Sequence, residues 1–199
     1  ISLTLGSDAL FGACCYEISH DTELLHSFIK AVEEHQIVLS SLFPYCIDND
    51  EYKLYVPAPM IQMESRNVPA TSFDDVKTAI AAHKKIKRIE YIRASELKQF
   101  KEYVESDASQ KHMPTFGAKQ TSAQVNMRGE KSLPYYVGNY QFMPHAGLYI
   151  IAGFHDEAQR TLFEGILEVL GFVGIGGKRS GGYGKFELAD DPIALSEEG

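Results

Sequence analysis

DEAQRTLFEGILEVLGFVGIGGKRSGGYGKF, residues Asp156 to Phe186, is the stretch that orients the rest of this 199-residue chain. Its first half predicts an amphipathic helix: Asp156 opens it, and Leu162, Phe163, Ile166, Leu167 and Leu170 recur at the spacing that lines one helix face with apolar groups. Gly171 stands where a left-handed C-terminal cap belongs. The second half holds six of the chain's sixteen glycines between Gly174 and Gly184, with Lys178 and Arg179 among them. Tyr183 to Leu188 then leaves the loop as a strand.

Bare backbone beside adjacent cations points to an anion, and spacing decides what kind of loop this is. A P-loop would need glycine at position 172, which is Phe172, and Ser or Thr at 179, which is Arg179. A dinucleotide fingerprint starting at Gly174 would also need glycine at 179, and it should link a strand to the helix that follows. Here the loop follows the helix, so it hangs from the negative C-terminal end and gains nothing from a helix N-terminus. Anion affinity must come from Lys178, Arg179, Lys185 and exposed backbone N–H groups. The glycines let a ribose-phosphate chain approach closely, and Tyr183 offers a ring on which a base can stack. The competing reading is a loop whose glycines merely permit tight turns.

Working outward, PYYVGNYQFM predicts a strand, Pro144 to Gly147 a turn, and LYIIAGF a buried strand run. DASQKHMPTFGAKQTSAQ is polar and nearly free of aliphatic residues, so a loop and a domain boundary are expected from Ser106 to about Lys131. In the first half, Ser7 and Asp8 signal a helix start, and Leu10, Cys14 and Ile18 follow at a spacing of four. Asp21 caps a second helix with a stripe of Leu24, Leu25, Phe28, Ile29 and Val32. Two alternating runs around Asp48 to Glu51 predict a hairpin that stops at Pro57 and Pro59. Helices from Asp74 to Ile86 and from Leu97 to Glu105, with IEYI as a short strand between them, complete an α+β pattern of helices layered on antiparallel sheet.

Composition narrows the function classes. The net charge of −8 counts against a protein that works mainly by neutralising phosphates. Its distribution is uneven, however: three cations and no acid lie between Phe172 and Phe186, and seven Lys/Arg against two Glu between His83 and Lys101. Lys84, Lys85, Lys87 and Arg88 in the latter cluster face RNA, a protein neighbour or water. Three cysteines without a Cys-x-x-Cys pair argue against a disulfide framework and a zinc ribbon. No eighteen-residue apolar run or signal peptide is visible, so no membrane association is expected and a reducing cytoplasm fits best.

The helix and GIGGKRSGGYGKFEL resemble the glycine-rich loop signature of the RAMP superfamily of CRISPR-associated proteins. SDALFGACCYEI, LFPYCIDNDEYKLYVPAPM with KKIKRIEYI, and Arg128 with PYYVGNYQF and AGLYII are together similar to the Csm-type subunit four family of type III-A effectors. The resemblance implies two ferredoxin-like, RRM-like domains, the first covering residues 1–105 with its leading strand cut to ISLTL, the second 106–199. It implies a cytoplasmic antiviral-defence subunit without cofactor or metal, which caps the 5′ tag of the crRNA. Its protein partners would be the large polymerase/cyclase-like CRISPR subunit and a neighbouring backbone RAMP subunit. RNA would lie on Gly174, Gly176, Gly177, Ser180, Gly181, Gly182, Tyr183 and Gly184, with Lys178, Arg179 and Lys185 on phosphates and Arg128 and Ser7 as secondary contacts. Ser7 also reads as an ordinary helix cap. The chain is shorter than typical members of that family.

The superfamily also contains metal-independent pre-crRNA endonucleases that use a histidine, so an RNA endonuclease is the alternative, with His20, His26, His35 or His145 as candidates. Cys14 and Cys15 read as small core residues. The acid pairs Asp74-Asp75 and Asp190-Asp191 read as caps and solvated loops, and the remaining excess of acid suits contact with basic protein neighbours.

Overall fold

In the computed structural model the residues described are 3–59, 73–74, 77, 80, 84, 89–99, 115–128, 131–189 and 192–195. In chain order the elements are α1 (Ser7–Glu17), α2 (Thr22–Glu33), β1 (Ile37–Leu39), β2 (Phe43–Asp48), β3 (Glu51–Pro57), β4 (Tyr91–Arg93), β5 (Gly117–Arg128), β6 (Lys131–Phe142), β7 (Ala146–Tyr149), β8 (Ala152–Phe154) and α3 (Glu157–Val173). They form a mixture of helix and antiparallel sheet in two compact units. One unit is Leu5–Leu42 with Ile150–Gly199; the other is Ile1–Thr4 with Phe43–Tyr149. These units do not follow the expected cut between 105 and 106. Strand pairing interleaves the chain instead: β8 pairs with β1 and β7 pairs with β2.

The first unit is built as its apolar spacing predicts. Leu10, Cys14 and Ile18 of α1, Phe28 and Ala31 of α2, Ile37 of β1, and Phe163, Ile166, Leu167 and Leu170 of α3 form one buried core. Full burial of each large aliphatic or aromatic side chain contributes about 1.5–3 kcal/mol. Two helix starts are capped by the expected acids. The Asp21 carboxylate accepts the Leu24 N–H at 3.0 Å. Asp156 accepts the Gln159 N–H at 3.1 Å while the Gln159 side chain accepts the Asp156 N–H at 3.1 Å, a reciprocal capping box.

Three local expectations in this unit are corrected. Ser7 is not the cap of α1: Gly6 occupies that position, and the Ser7 N–H donates to Ser41 Oγ at 3.3 Å, so a distant hydroxyl satisfies the orphan donor. Gly171 does not end α3, which continues to Val173 with Gly174 as its C-cap. A Cβ at 171 would lie 2.7 Å from the Phe186 carbonyl oxygen, so this glycine marks a close chain crossing. Tyr183 to Leu188 is irregular rather than a strand, although Phe186 packs against the core and its N–H donates to the Gly171 carbonyl at 3.2 Å.

The second unit holds a four-stranded antiparallel sheet of order β4-β3-β2-β7 and a separate ribbon, β5-β6. The expected hairpin is β2–β3, closed by Asn49 and Asp50 with φ of 52° and 60°, the left-handed pair that a two-residue hairpin turn demands. IEYI supplies β4. The polar loop expected through Lys131 is overturned at residues 117–128, where β5 pairs in unbroken antiparallel register with β6, from Gly117 opposite Phe142 to Arg128 opposite Lys131. Val125, Met127, Leu133 and Tyr136 are exposed on it. Val137 of β6 is buried, but β5 is mostly exposed and held by backbone hydrogen bonds, so it lacks the alternation of polar and apolar residues that announces a half-buried strand. LYIIAGF is likewise two strands: β7 pairs with β2 and β8 with β1, and the Ile151 N–H donates to Ser40 Oγ at 2.9 Å between them. Of the helix expected from Asp74 to Ile86, the described residues Asp74, Lys77, Ile80 and Lys84 are helical and the others lie outside the described residues; of that expected from Leu97 to Glu105, Leu97 to Gln99 form a bend and turn and the rest lie outside. Among the described residues no helix is long and apolar enough to cross a membrane.

Candidate nucleic-acid interface

The glycine-rich segment is a loop with a tight neck and an open apex. At the neck the Ile175 N–H donates to the Gly184 carbonyl at 2.9 Å. A Cβ on Gly184, at φ 76°, would fall 1.9 Å from the Ile175 oxygen, and one on Gly174, at φ 91°, would fall 2.7 Å from the Tyr183 oxygen. Only glycine permits the two backbones to close this near in these conformations. Ile175 and Phe186 on either side of the neck pack against the buried core, which anchors the loop.

At the apex Lys178 adopts a left-handed conformation, φ 62° and ψ 28°, and leads into a 3-10 turn over Arg179–Gly181. The Gly181 and Gly182 N–H groups donate to the Lys178 and Arg179 carbonyls at 2.9 Å each. Lys178, Ser180 and Lys185 are exposed and Arg179 is half-buried. The Arg179 guanidinium carbon lies 4.8 Å from the centroid of the Tyr16 ring. An open depression of ≈ 570 Å³ is lined by Tyr16, Val173, Gly176, Lys178, Arg179 and Ser180. Tyr16 sits in the last turn of α1, and the loop departs from the last turn of α3.

The residues singled out in the sequence separate accordingly. Gly174 through Lys185 belong to this one loop. Ser7 stands at the opposite end of α1 from Tyr16, about 13 Å away at 1.5 Å per residue, so it is not part of the depression. Arg128 is the last residue of β5, in the other compact unit. Tyr16 was not anticipated. Its one sequence signal is an aromatic residue lying off the Leu10, Cys14, Ile18 stripe, which no core requirement explains.

None of the candidate histidines lines the depression. His20 Nδ1 lies 3.0 Å from the Glu17 carbonyl oxygen, and His35 holds a left-handed conformation just beyond α2. Burial pushes the Cys14 thiol up to about 12, with the neighbouring Cys15 adding to the shift, which keeps the group neutral and unreactive. Among the described residues no group of three His, Cys, Asp or Glu side chains is placed to hold a metal ion.

No family model matches the chain. Its sequence is 24% identical over 197 residues to the CRISPR system Cms protein Csm4 of Streptococcus thermophilus, covering 98% of this chain and 60% of that protein. The fold matches a chain of the Csm1–Csm4 cassette solved in complex with cA4, with TM-score 0.56 and 20% identity over 84% of this chain and 60% of the other. It also matches a chain of the Csm3–Csm4 subcomplex of the type III-A CRISPR-Cas interference complex, with TM-score 0.51 and 16% identity over 87% and 60%. The chain thus spans about 60% of the length of these relatives. The chain is thus similar in sequence to Csm4 over nearly its whole length, and in fold it is similar to chains of the Csm1–Csm4 and Csm3–Csm4 assemblies.

Proposed function

We propose that this chain is a non-catalytic RNA-binding subunit of a type III-A CRISPR effector, one that caps the 5′ tag of the crRNA. The observation that carries this reading is the glycine loop, whose neck is closed by backbone contacts while its apex offers Lys178, Arg179 and the Ser180 hydroxyl around an open depression. Single-stranded RNA is recognised through phosphates, ribose and unstacked bases, and those three groups with the nearby Tyr183 ring suit such contacts. The Csm1–Csm4 and Csm3–Csm4 assemblies of the relatives are the basis for assigning this chain two protein neighbours, a large polymerase/cyclase-like subunit and a backbone RAMP subunit. In the fold that goes with this reading, the two compact units are ferredoxin-like domains interleaved along the chain. The four-stranded antiparallel sheet of one unit and the helices over β1–β8 in the other support it. Arg128 remains a candidate contact on the second unit.

Replacing Lys178 and Arg179 together with Ala tests the loop directly. Affinity for a crRNA oligonucleotide is expected to fall, and the slope of log K against log salt to flatten by about 1.4, at roughly 0.7 per single-strand phosphate contact. An unchanged slope removes the loop from the interface. Incubating the chain with precursor and mature crRNA in EDTA tests the absence of catalysis. Binding that depends on the tag and leaves RNA intact is the expected result, whereas specific cleavage abolished by one histidine substitution replaces the capping role with processing.

A further inference from the structure

Tyr16 has no role in the core. It is 64% exposed, and it lies off the α1 stripe whose members Leu10, Cys14 and Ile18 are buried. What it does contact is Arg179, whose guanidinium carbon is 4.8 Å from the ring centroid. Both residues line the depression at the loop apex. We propose that Tyr16 is a positioning residue for RNA binding, holding the Arg179 guanidinium by its flat face so that the N–H donors at its edge remain free to meet a phosphate oxygen. The inference deepens the RNA-binding reading and rests on it.

The physical basis is the shape of the guanidinium. Its face is attracted to an aromatic quadrupole while its in-plane N–H groups form hydrogen bonds at the rim, so the two interactions do not compete. A long side chain on a glycine-rich apex otherwise has to be ordered at the moment of binding, which lowers affinity; a ring that orders it beforehand restores part of that loss. A compact ammonium offers no face to stack, so lysine at 179 cannot be held in the same way.

The test uses the full chain and a single-stranded crRNA oligonucleotide, with affinity read by fluorescence anisotropy and folding by a thermal melt. Tyr16→Leu keeps an apolar group but removes the ring, and is expected to weaken binding about three- to tenfold while melting with the parent. Tyr16→Phe is expected to bind like the parent. Arg179→Lys, which leaves α1 untouched and the charge in place, is expected to lose as much as Tyr16→Leu and is the second route should the α1 variant melt early. Adding Tyr16→Leu to Arg179→Ala should cost nothing further. A full additional loss in that background means the ring meets RNA itself and overturns the positioning role, as does parental binding by Tyr16→Leu. Should Arg179→Ala leave affinity and salt slope unchanged, the loop reading falls and this inference with it; a loss in Arg179→Ala without one in Tyr16→Leu removes the Tyr16 role alone.

Discussion

The neck and the apex of the glycine loop use the same residue for opposite reasons. At the neck, Gly174 and Gly184 stand where a side chain would strike backbone, and their positive φ angles exclude most other residues. At the apex, Gly177 lies outside the left-handed φ range and has nothing within 4 Å of where a Cβ would project. No contact among the described residues accounts for glycine there; on the RNA-binding reading, close approach of another molecule's backbone would. Glycine content therefore divides into a part that closes the neck and a part that leaves the apex open.

The comparison is broken or sharpened by substitutions graded from the core outward. Phe163→Ala, in the core against which the neck residues Ile175 and Phe186 pack and 2% exposed, is expected to cost about 3–5 kcal/mol in a urea melt through the cavity it leaves. Gly184→Ala is expected to cost about 1–3 kcal/mol and to abolish RNA binding, because the 1.9 Å approach to the Ile175 oxygen forces the neck open. A protein unchanged in both respects would show that the neck does not hold the loop. Gly177→Ala should leave the melt within about 0.5 kcal/mol of the parent yet weaken RNA binding. Parental affinity there would mean that no ligand backbone comes close.

The same boundary between inside and outside crosses α1 at Cys14 and Tyr16, and pH reads its inner side. The Cys14 thiol titrates near 9.0 when unfolded and about 12 when folded, raised chiefly by desolvation. The folded state then holds the proton more tightly, so the contribution to stability is intact below pH 9 and is lost progressively as pH climbs from 9 toward 12. Melting temperatures taken across pH 8–11 should fall less steeply for Cys14→Ala than for the parent. Equal slopes would place the thiol in contact with water.

Much of the first unit was legible because its helices bury one face. The stripes on α1 and α3 and the acids Asp21 and Asp156 were read correctly, since side-chain spacing and capping are local properties. In the β5–β6 ribbon the strand at PYYVGNYQFM was legible, but its partner β5 was read as a polar loop, because an arm held by backbone pairing with few buried side chains carries no apolar alternation. Gly171 was misread as a helix cap because its partner, the Phe186 carbonyl, arrives from fifteen residues away in the chain. Ser7 was misread for a similar reason: the group that satisfies its N–H is Ser41.

The site divides along the same line. By itself the sequence determined that the loop is rich in glycine, carries Lys178 and Arg179, follows a helix and so cannot be a P-loop, since those facts depend on residue identity and order along the chain. Only the tertiary structure decided which glycines are demanded by packing, that Ser7 stands an α-helix length away, and that Tyr16 lies against Arg179. Each of these is a meeting of segments distant in sequence, brought together by burial of a shared core whose geometry no local pattern encodes.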